Sequence, residues 1–280
     1  MNIEFFKMHG TGNDFIVVDN FENHYNSWES RLVREICQRR TGVGADGLLV
    51  LEKSNQADFR MRYYNSDGKE SEMCVNGSRC ISYFALTLGY IKNIFKFEAG
   101  DGLHNGRINS SSSVIVEVKV NKVNTKLRSF PVDFKLQEGI YFRDFINTGV
   151  PHIVLECTDI DNMPVADLGS QLRFHPYYKP DGTNVNFAEV QKTNSEPVLR
   201  VRTFERGVDA ETLSCGTGAT ASALSFVHDE RFADKKIKRI KVKTRGGNLI
   251  VHLKDQDKNI YLEGPVEFVY KGIYSREDYS

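Results

Sequence analysis

Along most of this chain the apolar residues come in short β-type runs set between turn residues, and only a few stretches switch to helical spacing. Ile3 to Met8 and Phe15 to Val18 read as two strands around His9-Gly-Thr-Gly-Asn-Asp, where glycines at 10 and 12 allow a sharp turn. Leu48 to Leu51 and Phe59 to Tyr64 read as strands, followed by Ile94 to Glu98, Gly106 to Asn109 and Val114 to Val120. The second half repeats the pattern near Gly139 to Phe145, Ile153 to Cys157, Asn184 to Val190, Leu199 to Phe204, Ile240 to Lys243, Asn248 to Leu253 and Ile260 to Glu263.

Three stretches predict helices. Trp28 to Arg40 carries Leu32, Val33, Ile36 and Cys37 on one face, with Ser27 as candidate cap. Arg79 to Leu88 buries Ile81, Phe84, Ala85 and Leu88 and stops at Gly89. The stretch after Cys215, to about His228, is small and apolar nearly all round, which suits the interior of a curved sheet. Cys37 and Cys80 sit on helices as packed, inert thiols.

The pattern implies two domains, residues 1–122 and 123–264, with the unpatterned Lys122 to Lys126 as the crossing and 265–280 returning to the first domain. Length and composition agree, since 280 residues at 40% hydrophobic suffice for two medium cores. Lys+Arg and Asp+Glu are both 37, so nothing favours a nucleic acid or a membrane surface as partner. No signal peptide or membrane-spanning run is read, and a cytoplasmic location is expected. Five cysteines are an odd count that suits a reducing compartment, and with no C-x-x-C pair no metal site is expected.

The chemistry concentrates in Asn65 to Cys80, N-S-D-G-K-E-S-E-M-C-V-N-G-S-R-C, which places Cys74 at a helix start. There the free amides and the helix dipole favour a thiolate, and the same amides can hold a carboxylate. Glu205 to Ala223 repeats the arrangement: Cys215 has Glu211 four residues before it and Gly218 three after, as Cys74 has Glu70 and Gly77. Two such half-sites suggest pseudo-symmetric domains, each offering one cysteine to a shared cleft. No nucleotide or pyridoxal motif accompanies them, so no cofactor is expected. Inverting a carbon that bears a hydrogen requires a proton removed from one face and another supplied to the opposite face, which a thiolate and a thiol can do in turn. Amides at two helix starts would stabilise the intermediate next to a carboxylate.

The motifs H-G-T-G-N-D-F (His9 to Phe15), G-V-G-A-D-G-L (Gly42 to Leu48), N-S-D-G (Asn65 to Gly68), M-C-V-N-G-S-R-C (Met73 to Cys80), G-V-P-H (Gly149 to His152), N-V-N-F (Asn184 to Phe187) and E-R-G-V with S-C-G-T-G-A (Glu205 to Ala219) run in order over nearly the whole chain. In them the chain resembles the diaminopimelate epimerase family. The resemblance implies an α/β (α+β) fold of two similar domains, each a curved, barrel-like, mainly antiparallel sheet around a central helix. It implies epimerisation of LL- to meso-diaminopimelate without pyridoxal, on the route to lysine and peptidoglycan, by a small-molecule enzyme that is often a homodimer. It implies that Cys74 and Cys215 are the acid/base thiols, that His152 and Glu205 assist them, and that Asn13, Asn65, Asn184 and Arg206 bind the substrate. Backbone amides around Val75, Asn76, Gly77, Gly216 and Thr217 would hold the reacting carboxylate. The chain departs from the family pattern at Val75, where glycine is usual, and at Val150, where asparagine is frequent; an epimerase of another amino acid, such as a histidine or proline derivative, and a non-catalytic binding homologue remain alternatives.

Overall fold

The computed structural model describes residues 2–110, 113–118, 130–131, 133–191, 198–227, 229, 237–253 and 259–276. The sequence-predicted crossing at Lys122 to Lys126 lies outside them, as do Lys119, Val120 and His228, the expected ends of one strand and one helix. The chain divides into two compact units, Met1–Glu117 with Gly264–Ser280, and Val118–Glu263.

In the first unit the strands are β1 (Asn2–Gly10), β2 (Asn13–Asp19), β3 (Gly47–Glu52), β4 (Phe59–Asn65), β5 (Glu70–Ser71), β6 (Ile94–Ala99), β7 (Gly102–Ser110) and β8 (Ser113–Val118). Helix α1 (Ser30–Cys37) joins β2 to β3, and α2 (Val75–Thr87) joins β5 to β6. Sequential pairs are antiparallel, except that β2 runs parallel to β3 and β4 parallel to β6, the two places where a helix makes the crossover. In the second unit the strands are β9 (Ile140–Asn147), β10 (Pro151–Cys157), β11 (Asn184–Gln191), β12 (Val198–Glu205), β13 (Ala210–Thr212), β14 (Arg239–Thr244), β15 (Gly247–Leu253) and β16 (Ile260–Pro265). Here α3 (Val165–Arg173) joins β10 to β11 and α4 (Gly216–Phe226) joins β13 to β14. Again only β10 with β11 and β12 with β14 are parallel. The two units share one topology, strand for strand, and this is the internal repeat that the cysteine motifs announced. The last strand, β17 (Glu267–Ser275), pairs antiparallel with β1.

Each unit has a helix on either side of its sheet. Leu32, Val33, Ile36 and Cys37 of α1 pack on Ile16, Val18, Leu48 and Val50, and Leu168 and Leu172 of α3 pack on Ile153, Leu155, Val185 and Phe204. The second helix of each unit is buried nearly all round. In α2 this takes in Asn76, Ser78, Arg79 and Ser82 as well as Ile81 and Phe84, and α4 achieves it with Gly, Ala, Ser and Thr. Small side chains let the sheet wrap closely around such a helix.

The helices differ from the expectations in three ways. Helix α1 starts at Ser30 with Glu29 as its cap and no side-chain cap bond, so Ser27 caps nothing; Trp28 is instead buried in the core against Tyr25. Helix α2 runs from Val75 with Cys74 as its N-cap, the helix start expected for that cysteine; the apolar face read from Arg79 covers only its later turns, because Val75, Asn76 and Gly77 are poor helix formers that burial carries into the helix. Helix α3 is absent from the sequence reading because Gly169 interrupts its short apolar pattern. A Cβ at Gly169 would stand 2.4 Å from Phe204 Cβ, so the glycine lets α3 lie directly on β12.

Candidate active site

Both central helices begin on a cysteine. Cys74 is the N-cap of α2, extended at φ −129° and ψ 118°, and Cys215 is the N-cap of α4 at φ −113° and ψ 114°. The position leaves the first-turn amides unpaired within the helix and aligned with its positive end, a setting that favours negative charge on sulfur or on a ligand carboxylate. Val75 lies inside the helix with negative φ, so no left-handed conformation is required where the family usually has glycine. The other three cysteines hold no helix start: Cys37 ends α1, Cys80 lies within α2 and Cys157 ends β10. Cys37, Cys80 and Cys157 are buried in the core, and burial pushes each thiol up to about 12.

Around Cys74 the polar groups come from the β1–β2 hairpin and the turn before β3. Gly10 pairs with Asn13, and Thr11 and Gly12 make the turn with φ of 53° and 84°. That places Asn13 against the start of α2, where its Oδ1 accepts from Asn76 Nδ2 at 3.2 Å and faces Cys74 Sγ at 3.8 Å. Asn13 Nδ2 donates to Asp46 Oδ2 at 2.7 Å, and Arg39 holds Asp46 at 2.6 Å. Asn65, at the end of β4, accepts a 2.6 Å hydrogen bond from Tyr63 Oη. Asn76 and Gly77 form the buried first turn of α2. The structure therefore brings Asn13, Cys74, Val75, Asn76 and Gly77 to one place.

Around Cys215 the arrangement is denser. Its sulfur accepts from the Gly218 amide at 3.4 Å and lies 3.4 Å from Thr217 Oγ1. Gly216 and Thr217 open α4, and the Thr217 carbonyl accepts from Thr148 Oγ1 at 3.2 Å. His152 and Asn184 face each other in the parallel β10–β11 ladder. Asn184 Nδ2 donates to the Pro151 carbonyl at 2.9 Å, and its Oδ1 accepts from the Arg206 amide at 2.8 Å, so Asn184 ties the start of β10 to the turn after β12. Glu205 ends β12 and Arg206 opens that turn, with Nη1 3.5 Å from the Asp181 carbonyl.

Sequence reasoning missed Asn186 and Thr203. Asn186 Nδ2 donates to the Ile153 carbonyl at 2.8 Å and to His152 Nδ1 at 3.1 Å, while its Oδ1 accepts from Thr203 Oγ1 at 3.0 Å. These partners fix the amide orientation, and the amide fixes the imidazole: Nδ1 accepts, so the proton sits on Nε2. Nε2 has no partner among the described residues. Burial, with the Arg206 charge adding to it, pulls the His152 pKa down to about 3. His152 is thus a neutral, oriented N–H donor. The available signal was the spacing within N-V-N-F, since Asn184 and Asn186 are two apart and share a face of β11.

The pattern of matches to other proteins follows the same residues. The sequence profile of the diaminopimelate epimerase family matches residues 5–125 and 145–269, which takes in both cysteine-capped helices. The chain belongs to the diaminopimelate epimerase family. A diaminopimelate epimerase from Flavobacterium psychrophilum is 39% identical over 273 residues, covering 96% of this chain and 99% of the relative. One from Chlorobaculum tepidum is 40% identical over 269 residues, covering 95% and 98%. Among solved structures, a hydroxyproline epimerase from Agrobacterium vitis superposes with a TM-score of 0.71 at 15% identity, covering 99% of this chain and 94% of that one. A PhzF-family phenazine biosynthesis protein from Bacillus anthracis gives 0.70 at 13%, covering 98% and 99%; these two likenesses are of fold. Among the described residues no cluster of His, Cys, Asp or Glu is arranged to hold a metal ion, and no helix is long and apolar enough to cross a membrane.

Proposed function

We propose that this chain epimerises LL-diaminopimelate to meso-diaminopimelate, in lysine and peptidoglycan precursor synthesis, with Cys74 and Cys215 as its two acid/base groups. The observation that carries the reading is the duplicated cysteine N-cap, in which each unit uses the same strand topology to put one sulfur at the start of its central helix. One sulfur, as thiolate, takes the α-proton. The electron pair left on carbon delocalises into the adjacent carboxylate, and the other sulfur, as thiol, returns a proton to the opposite face. Each turnover leaves the two protonation states exchanged, which suits a reversible reaction.

Helix-start amides at Val75, Asn76 and Gly77 and at Gly216 and Thr217 stabilise the carboxylate as it gains charge. His152, with its proton on Nε2, donates a further hydrogen bond, and Glu205 assists Cys215. Asn13, Asn65, Asn184 and Arg206 bind the amino and carboxylate groups of the substrate. We read the protein as cytoplasmic and as a homodimer, the dimer being supported by the exposed apolar side chains of Phe268, Val269, Tyr270 and Ile273 on β17.

The test is α-proton exchange followed by NMR in heavy water, with LL- and meso-diaminopimelate offered to the reduced protein and to its Cys74→Ala and Cys215→Ala variants. Interconversion in the parent and its loss in both variants is the expected result. Inert diaminopimelate alongside exchange on another amino acid would overturn the substrate, and full epimerisation by either variant would overturn the two-base scheme.

A further inference from the structure

Arg79 heads the fully buried side chains when these are ranked by size. Its Nη2 donates to Asn76 Oδ1 at 2.9 Å and lies 3.4 Å from Thr11 Oγ1, and its Nη1 lies 3.4 Å from the Val75 carbonyl. Nε has no partner among the described residues. Every one of these partners is neutral. A buried guanidinium without an anion is unfavourable, and such groups are ordinarily paired. Burial pulls the Arg79 pKa down to about 10, and the opposing influences are two thiols, Cys80 and Cys74. Cys80 is itself fully buried and burial keeps it protonated, with its pKa pushed up to about 12. Cys74, at the half-open helix start, is the sulfur left to carry the matching negative charge.

The connection is also mechanical. Arg79 donates to Asn76 Oδ1, which forces Asn76 to present Nδ2 to Asn13. Asp46 takes Asn13 Nδ2, so Asn13 must turn Oδ1 toward Asn76 and Cys74. The amide oxygen favours the S–H form of Cys74 and the guanidinium charge favours the thiolate. A group that gives and takes a proton by turns needs both states within reach. Space for the guanidinium comes from Gly10 on β1, where a Cβ would stand 3.1 Å from Nη2.

We propose that Arg79 is a positioning residue for Cys74: its buried positive charge stabilises the Cys74 thiolate, and its hydrogen bond to Asn76 sets the amide pair that faces the sulfur. This rests on the reading of Cys74 as an acid/base group. Competing charges on the neighbouring elements are already engaged. Lys7 of β1 meets Asp14 of β2 at 2.6 Å, His9 of β1 lies 3.6 Å from Glu267, Arg39 holds Asp46, and Tyr63 of β4 donates to Asn65.

The experiment is the pH dependence of iodoacetamide alkylation of the whole reduced protein, with the Cys74 and Cys215 peptides quantified separately by mass spectrometry. Arg79→Met and Arg79→Gln should raise the Cys74 midpoint by about one pH unit, so that labelling below the midpoint slows by about tenfold. Arg79→Lys, which keeps the charge, should stay near the parent, and the Cys215 midpoint should not move in any of the three. An unmoved Cys74 midpoint in a folded charge-free variant overturns the proposal, as does an equal shift in Arg79→Lys. Failure of both charge-free variants to fold overturns it too, because the guanidinium would then be a requirement of packing. Alkylation reads Cys74 without turnover, so this outcome is separable from the epimerisation assay of Cys74→Ala.

Discussion

At the scale of single residues, His152 shows how a buried hydrogen bond decides which ring nitrogen carries the proton. With a folded pKa near 3 against an ordinary 6.5, the folded protein refuses a proton that the unfolded chain accepts below about 6.5. The sign follows: this group lowers stability as pH falls from about 6.5 toward 3 and has no effect above that window. His152→Gln should flatten that part of the stability curve, measured by urea unfolding between pH 4.5 and 8. The ring resonances of His152 should not titrate between pH 5 and 8. Asn186→Leu removes the donor that fixes the tautomer and leaves Nδ1 buried without a partner. It should lower kcat/KM by about tenfold or more, the rate equivalent of about 1–3 kcal/mol for an unsatisfied buried group. An Asn186→Leu enzyme with parental kinetics would remove the tautomer argument. The motifs led to His152 and Asn184 directly. Asn186 and Thr203 were illegible because a strand's sequence does not say which of its polar residues turn inward to meet a partner on another strand.

At the scale of elements, most of the longer strands were legible, since alternation and turn chemistry are local; the first half of β7 and the short β5 and β13 were not, because their polar residues carry no alternation. The helices were less so. Helix α3 was hidden by Gly169, whose use is contact with Phe204, a residue 35 positions away in sequence and invisible to any local rule. Intrinsic propensity says that Gly169→Ala should stabilise a helix by about 1 kcal/mol. The packing says the reverse: a Cβ 2.4 Å from Phe204 Cβ forces α3 off the sheet, and overpacking of this kind costs about 1–3 kcal/mol. The urea midpoint of Gly169→Ala should therefore fall, and a rise would mean that the α3–β12 contact is looser than described. The first turn of α2 teaches the same lesson, because tertiary burial carries Val75, Asn76 and Gly77 into a helix their own preferences do not support.

At the scale of the whole molecule, the exposed apolar side chains of β17 bear on assembly. Val269 is 55% and Ile273 65% exposed in the single chain. Sedimentation should show a dimer, and the Val269→Glu/Ile273→Glu double variant should sediment as a monomer; a dimer unchanged by that variant would move the interface elsewhere. The sequence by itself determined the two-fold repeat, the strand-rich class and the two cysteine-led helix starts, because these are written in local periodicity and in ordered motifs. It also marked Cys74 and Cys215 apart from the other three cysteines by position, since a cysteine before a small-residue helix start is a local signature. The tertiary structure alone decided that β2 with β3, β4 with β6, and their counterparts in the second unit run parallel, that His152 keeps its proton on Nε2, and that Arg79 lies buried among neutral partners behind Cys74. Each of these depends on what a residue meets across the fold, and burial and hydrogen bonding to distant partners are the physical terms that a linear chain does not carry.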